Sequence, residues 1–366
     1  MFAAGWFASR YDIRQGRIDN HNAPKAYYKG LNHLLNEQQD AAIDAFISAI
    51  QQDPDTTDLH FALGNLFRRR GDYDRAVRVH EHLLQRADLP PKDHVRARYC
   101  LAQDFIKAGL LDRAESNLNS LKGSTHESQA LVLLLNLYER TREWDKATAI
   151  AQQLDQGQEG QFRSHITHHR CEQAQQARQQ QDWPQAEALL HTALQDDPHS
   201  RRAKLELADL LEHTERPEQA WDVLQSLTEG SFLIHPLALP ALLRLAPALD
   251  QTAALTAQLE AAQAQAPSID YADALAHLSP DADSRQERYV QHLKKEPHSL
   301  LAAHAWLLAQ PHHQAPPEVL QAIDRACGPL RRYRCSACGF ETSHHFWQCL
   351  GCQSWASYSP HRIEEL

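Results

Sequence analysis

Four cysteines late in the chain stand in two Cys-x-x-Cys pairs, Cys335/Cys338 and Cys349/Cys352, with ten residues between the pairs. Thiolates at this spacing can close a tetrahedron around one soft or borderline metal ion. A segment of only some thirty residues has too little core to fold without such a staple. The first pair lies in Arg332-Tyr333-Arg334-Cys335-Ser336-Ala337-Cys338-Gly339-Phe340 and the second in Trp347-Gln348-Cys349-Leu350-Gly351-Cys352-Gln353-Ser354-Trp355. Gly339 tolerates the tight turn that aims backbone N–H groups at sulfur. Tyr333, Phe340, Trp347 and Trp355 are expected to shield the site from water. His344 and His345, between the pairs, could in principle replace a cysteine, but four sulfurs already fill the shell. Spacing does not separate zinc from iron, and disulfides are the competing use of four cysteines. Cys327 is off the spacing, and Cys100 and Cys171 fall in helices; all three read as packing residues.

The elements that must carry this module are helical. The chain has 366 residues, 13 of them Gly, with 7% aromatics, which suits an alanine- and leucine-rich helical protein. Small residues recur at Ala42, Ala76, Ala114, Ala147, Ala186 and Ala220, with gaps of 34, 38, 33, 39 and 34 residues. That is close to the tetratricopeptide period. An acidic residue or Gln precedes each, as in Gly71-Asp72-Tyr73-Asp74-Arg75-Ala76. Gly30 and Gly64 fall where the first helix of a unit needs a small side chain. Pro54 and Pro198 follow Asp53 and Asp197 where the second helix stops. Phe46, Ala49 and Ala193 fill the remaining signature positions.

The expected fold is all-α: a tetratricopeptide superhelix with a small C-terminal rubredoxin-like or zinc-ribbon metal domain. The expected division is residues 1–22, a membrane-anchor end and juxtamembrane segment; 23–230, about six tetratricopeptide repeats; 231–330, degenerate helical repeats and a linker; and 331–366, the metal domain. Two or three helical hairpins are expected over 231–310. Pro311, Pro316 and Pro317 then mark a break before a short helix around Glu318 to Ala326. First-helix side chains line the inner face of such an array. Counting along the register, the lining candidates are Tyr27, Phe61, Asn65, Arg68, Arg69, Arg96, Tyr99, Gln103, Asn136 and Arg140. Aromatic, amide and Arg groups there suit an extended peptide or helix bearing carboxylates.

The formal net charge of -10 argues against a general nucleic-acid binder, because phosphate neutralisation needs clustered Lys and Arg. Cysteines confined mainly to one motif argue against a secreted disulfide scaffold. No phosphate loop, His-Glu-x-x-His helix or Gly-x-Ser-x-Gly elbow occurs, so no enzyme class is indicated. The apolar run Phe2 to Ala8, followed by Arg10, Arg14 and Arg17, is far shorter than the ~20 residues that span a bilayer. Its Trp and Phe beside Arg look like the cytoplasmic end of a membrane helix.

A repeat array preceded by an apolar stub and closed by two cysteine knuckles resembles the lipopolysaccharide assembly protein B family of Gram-negative bacteria. Leu63-Gly64-Asn65-Leu66-Phe67-Arg68 through Ala76, Ala108-Gly109-Leu110 through Glu115, and Arg332 through Trp355 carry the likeness. The resemblance implies a single-pass inner-membrane protein with its bulk in the cytoplasm and no catalysis of its own. It implies an adaptor that presents the deacetylase of lipid A synthesis to a membrane-bound AAA protease and meets other lipopolysaccharide assembly factors, with a homodimer as a further association. It also implies iron held by Cys335, Cys338, Cys349 and Cys352. Leu350 stands where a rubredoxin usually has Pro, and Gln353 where it often has Gly. The alternatives are a rubredoxin-like electron carrier and a zinc-ribbon nucleic-acid binder using Arg331, Arg332 and Arg334.

Overall fold

The repeat period sets the architecture helix by helix. In a computed structural model, which describes residues 29–30, 32–33, 36, 38–52, 56–157, 160–228, 233–310 and 316–366, the chain forms two compact units, 1–157 and 158–366. That division falls inside the span expected to be one array. Tyr27, the run Phe2 to Ala8 with its arginines, Asp53, Pro54 and Pro311 lie outside the described residues.

Unit 1 contains α1 (Gln39–Gln52), α2 (Thr57–Arg70), α3 (Tyr73–Gln85), α4 (Pro91–Ala108), α5 (Leu111–Asn119), α6 (Glu127–Thr141) and α7 (Trp144–Gly157). Ala42, Ala76, Ala114 and Ala147, the periodic small residues, are all fully buried. Gly64 shows why the first helix needs a small residue. A Cβ there would sit 2.5 Å from the His80 ring of α3. Overpacking of this kind costs about 1–3 kcal/mol. At Gly30 the same atom would meet the Phe46 ring at 2.9 Å.

First helices end in one recurring motif. Gly71 has φ +91°, and the N–H of Asp72 donates back to Phe67 O at 2.9 Å. This left-handed cap satisfies otherwise orphan carbonyls. It recurs at Gly109, Arg142, Gln181 and Glu215, repeating the gaps of 38, 33, 39 and 34 residues, and again at Asp250. The repeat thus runs past 230, where its small-residue signature has faded: Leu255 stands at the buried position that Ala220 holds in the preceding unit.

Unit 2 contains α8 (Arg163–Gln179), α9 (Trp183–Asp196), α10 (Arg201–His213), α11 (Pro217–Gln225), α12 (Leu239–Ala248), α13 (Thr252–Gln265), α14 (Ile269–Leu278), α15 (Ala282–Lys295), α16 (Leu300–Leu308) and α17 (Pro317–Cys327). The pairs α12/α13 and α14/α15 are the hairpins anticipated after 231, and α16 pairs with α17. Ser200, Asp281 and Ser299 cap α10, α15 and α16 by accepting from the N–H three residues on, each worth about 1 kcal/mol. Ala186, Leu190, Ala193, Ala203, Leu207 and Ala220 form the middle of the core. Beyond α17, β1 (Tyr333–Arg334) pairs antiparallel with β2 (Glu341–Thr342). No helix among the described residues is long and apolar enough to cross a membrane.

Candidate metal centre

The two knuckles are built alike. The N–H of Cys335 donates to Phe340 O and that of Gly339 to Cys335 O. The N–H of Cys349 donates to Ser354 O and that of Gln353 to Cys349 O, all at 2.9 Å. Gly339 and Gln353 occupy equivalent positions and share left-handed backbone, φ 77° and 62°.

These turns bring the four sulfurs within 4.8 Å of one another. Cys335 Sγ lies 3.8 Å from Cys352 Sγ, and Cys338 Sγ lies 3.7 Å from Cys349 Sγ. A tetrahedral ion with metal–sulfur bonds of ~2.3 Å sets its sulfurs about 3.8 Å apart, whereas a disulfide bond is about 2.05 Å long. The donor set fits a single metal ion, and the spacing is that of thiols rather than disulfides. Burial opposes ionisation of Cys335, yet the Ser357 hydroxyl and the N–H groups of Cys338 and Ala337 outweigh it and lower the thiol to about 6. Burial likewise opposes Cys349, but the N–H groups of Cys352 and Gly351 and the Tyr358 hydroxyl lower it. Cys335 and Cys349 are thus poised as thiolates, the form a metal takes, whereas Cys338 is pushed up to about 12 because, against the bond from the Phe340 N–H, burial and the neighbouring sulfurs of Cys352, Cys335 and Cys349 favour its thiol.

The aromatic shield differs from the expected one. Cys335 and Cys349 are buried beneath Tyr333 and Tyr358, the Tyr358 hydroxyl reaching Cys349 Sγ at 3.5 Å. Cys338 and Cys352, the second sulfur of each knuckle, are exposed. Phe340 is 44% exposed and does not shield: its Cβ and ring carbons lie where they would crowd any side chain at position 351. His345 packs edgewise on Tyr333 and Trp347, His344 is exposed, and neither joins the sulfur cluster.

Trp355 is used elsewhere. It stacks flat on His168 of α8, with ring centroids 4.8 Å apart and planes 9° apart. It meets His169 edge-on and lies under the Arg202 guanidinium of α10 at 5.7 Å. Arg202 is buried and donates to Glu172 at 2.7 Å and Glu206 at 2.6 Å. Two acids in turn seat the tail. Glu365 accepts from Ile269 N at 2.5 Å and Ser268 Oγ at 3.2 Å. Glu364 accepts from Leu301 N at 2.9 Å and Ser299 Oγ at 2.7 Å. Carboxylates thus sit at the N-termini of α14 and α16, where backbone N–H groups lack partners. Sequence reasoning missed these contacts. The Arg202/Glu206 spacing of four on one helix is a local signal for that ion pair alone.

The groove candidates divide. Phe61 does not line a groove: it is fully buried among Leu83, Leu89, Ala97 and Cys100, because α4 packs over that stripe of α2 and Arg96 roofs the ring at 4.0 Å. Arg96 also pairs with Asp58. Arg68 is spent internally, donating to Asp104 at 2.8 Å, Asn65 at 2.6 Å and Cys100 O at 3.2 Å. Asp104, with no exposed surface, also holds His80 Nδ1 at 2.5 Å. Burial opposes charge on His80, but the bonds to Asp104 and Cys100 outweigh it and raise its pKa. Tyr99 and Gln103 are half-buried, and Tyr99 lies against His126. Arg69, Asn136 and Arg140 remain exposed.

Fold and site together define a tetratricopeptide scaffold carrying a rubredoxin-like four-cysteine module. The description "Rubredoxin metal binding domain" matches residues 333–360, and "Tetratricopeptide repeat" matches 59–94 and 177–230. Lipopolysaccharide assembly protein B of Escherichia coli strain K12 is 30% identical over 98% of this chain and 95% of its own length. The Haemophilus influenzae protein of the same name is 29% identical with the same coverage. Among solved structures, a tetratricopeptide repeat protein from Parabacteroides merdae is 13% identical, covers 70% of this chain and 98% of its own, and has a TM-score of 0.37. The chain belongs to the lipopolysaccharide assembly protein B family.

Proposed function

We propose that this protein is a non-catalytic adaptor that limits lipopolysaccharide synthesis by presenting the deacetylase of the lipid A pathway to a membrane-bound AAA protease. The observation that carries this is the likeness, over 98% of the chain, to relatives named for lipopolysaccharide assembly, together with the four sulfurs gathered in one cluster. Cys335, Cys338, Cys349 and Cys352 hold one ion, iron by family resemblance, with zinc compatible with the same sulfurs. The ion's contribution is structural: it locks the two knuckles and so presents Trp355 and the tail acids to the helices. The exposed Arg69, Asn136 and Arg140 belong to the partner face, and residues 331–366 act as one metal domain. The protein works at the cytoplasmic side of the inner membrane.

Replacing Cys335 and Cys338 together with Ser should abolish metal binding, loosen the module and lengthen the half-life of the deacetylase in cells. A half-life equal to wild type in a double variant shown to lack metal would refute the adaptor role.

A further inference from the structure

A cavity of about 310 Å³ lies within unit 2 where the metal module meets α8 and α10. Its wall includes Ser164 of α8, His199 and Arg201 at the start of α10, His235, and His345 and Trp347 of the module. This is the lower end of the size range of small-molecule sites, about 300–1,000 Å³. In the same unit, Arg170, Arg178, Arg202 and Arg216 each hold a carboxylate. Arg201 holds none among the described residues. His235 Nδ1 is buried and likewise has no hydrogen-bond partner among them.

The charges around the cavity are unbalanced. Arg202 also lines it, but its guanidinium is committed to Glu172 and Glu206. Asp197 is the acidic residue of the wall, and its carboxylate accepts from the His199 N–H of its own turn at 3.0 Å. Burial, then the neighbouring Arg201 and the His345 and His361 rings, push His235 down to about 4, so that it is a neutral imidazole. The cavity wall therefore carries one guanidinium without a carboxylate partner, that of the exposed Arg201, and several imidazoles beside the carboxylate of Asp197, and the first turns of α8 and α10 add a positive field.

We infer that this cavity binds a phosphate monoester, with Arg201 and His235 on the phosphate and Trp347 against the ester group. A carboxylate has two oxygens and is satisfied by one guanidinium fork. A phosphate dianion has three and uses the additional imidazole and hydroxyl donors. The ester is either a soluble compound or a lipid headgroup.

Isothermal titration of the metal-loaded full chain with phenyl phosphate tests the assignment. Binding should be measurable, and Arg201→Gln and His235→Asn should each weaken it about tenfold, the loss of one charge-assisted hydrogen bond. Lys107→Gln in unit 1 should leave it unchanged, and equal metal content would show that the variants keep the module folded. Flotation with phosphatidic acid vesicles, lost in Arg201→Gln, would assign the ester to a lipid; binding of phenyl phosphate alone would assign a soluble one. The proposal is overturned by silence at millimolar phenyl phosphate, by benzoate binding equally well, or by affinity that survives both substitutions.

Discussion

Gln353 takes the backbone conformation that Gly339 takes in the matching knuckle, φ 62° against 77°. A side chain in left-handed backbone costs on the order of 1 kcal/mol, partly offset by the greater freedom glycine gives the unfolded chain. Gln353→Gly should therefore stabilise the module by roughly 0.5–1 kcal/mol and slow loss of metal to a competing chelator; faster loss would show that the Gln side chain contributes more than the strain removes. His80 gives a second test. Its folded pKa lies above the ordinary 6.5, so its contribution is complete below 6.5 and disappears as pH rises through the folded value. The difference in urea midpoint between wild type and His80→Gln should shrink from about pH 6 to about pH 9. A difference constant across that range would mean the His80–Asp104 contact is not proton-linked.

At the scale of elements, the tail acids Glu364 and Glu365 act as distant caps for α16 and α14. Each such cap is worth about 1 kcal/mol. Glu364→Gln with Glu365→Gln should speed amide exchange at Leu301 and Ile269 while leaving α1 to α7 unaffected; unchanged exchange would show that Ser299 and Ser268 suffice as caps. These contacts were illegible in the sequence because their partners lie 63 and 96 positions away. Local rules govern the opposite case. Ala42, Ala76, Ala114, Ala147, Ala186 and Ala220 were readable because packing within a helix pair demands a small side chain at a fixed place. Phe61 was misplaced for a related reason: register assigns a helix face, but the next helix decides whether that face is open, and α4 covers it. The knuckles and the cover given by Tyr333 were legible to the residue, while the rest of the shield was not, because Trp355 leaves the sulfurs for α8 and Tyr358 lay outside the motif.

Across the whole molecule, the proposed partner face and the metal centre should be separable by substitution. The exposed Arg69 and Arg140 stand apart in sequence from the cysteines, so Arg69→Glu with Arg140→Glu should weaken capture of the deacetylase in a pull-down without changing metal content. Undiminished capture would remove both from the partner face. The seating of Glu364 and Glu365 has a temporal side as well. A ribosome releases α14 and α16 well before residues 364 and 365, so both helix ends must wait for the tail to arrive. Closure of unit 2 is then a late event of biosynthesis, and a nascent chain starved of metal would stall with its helices stacked and its final latch undone.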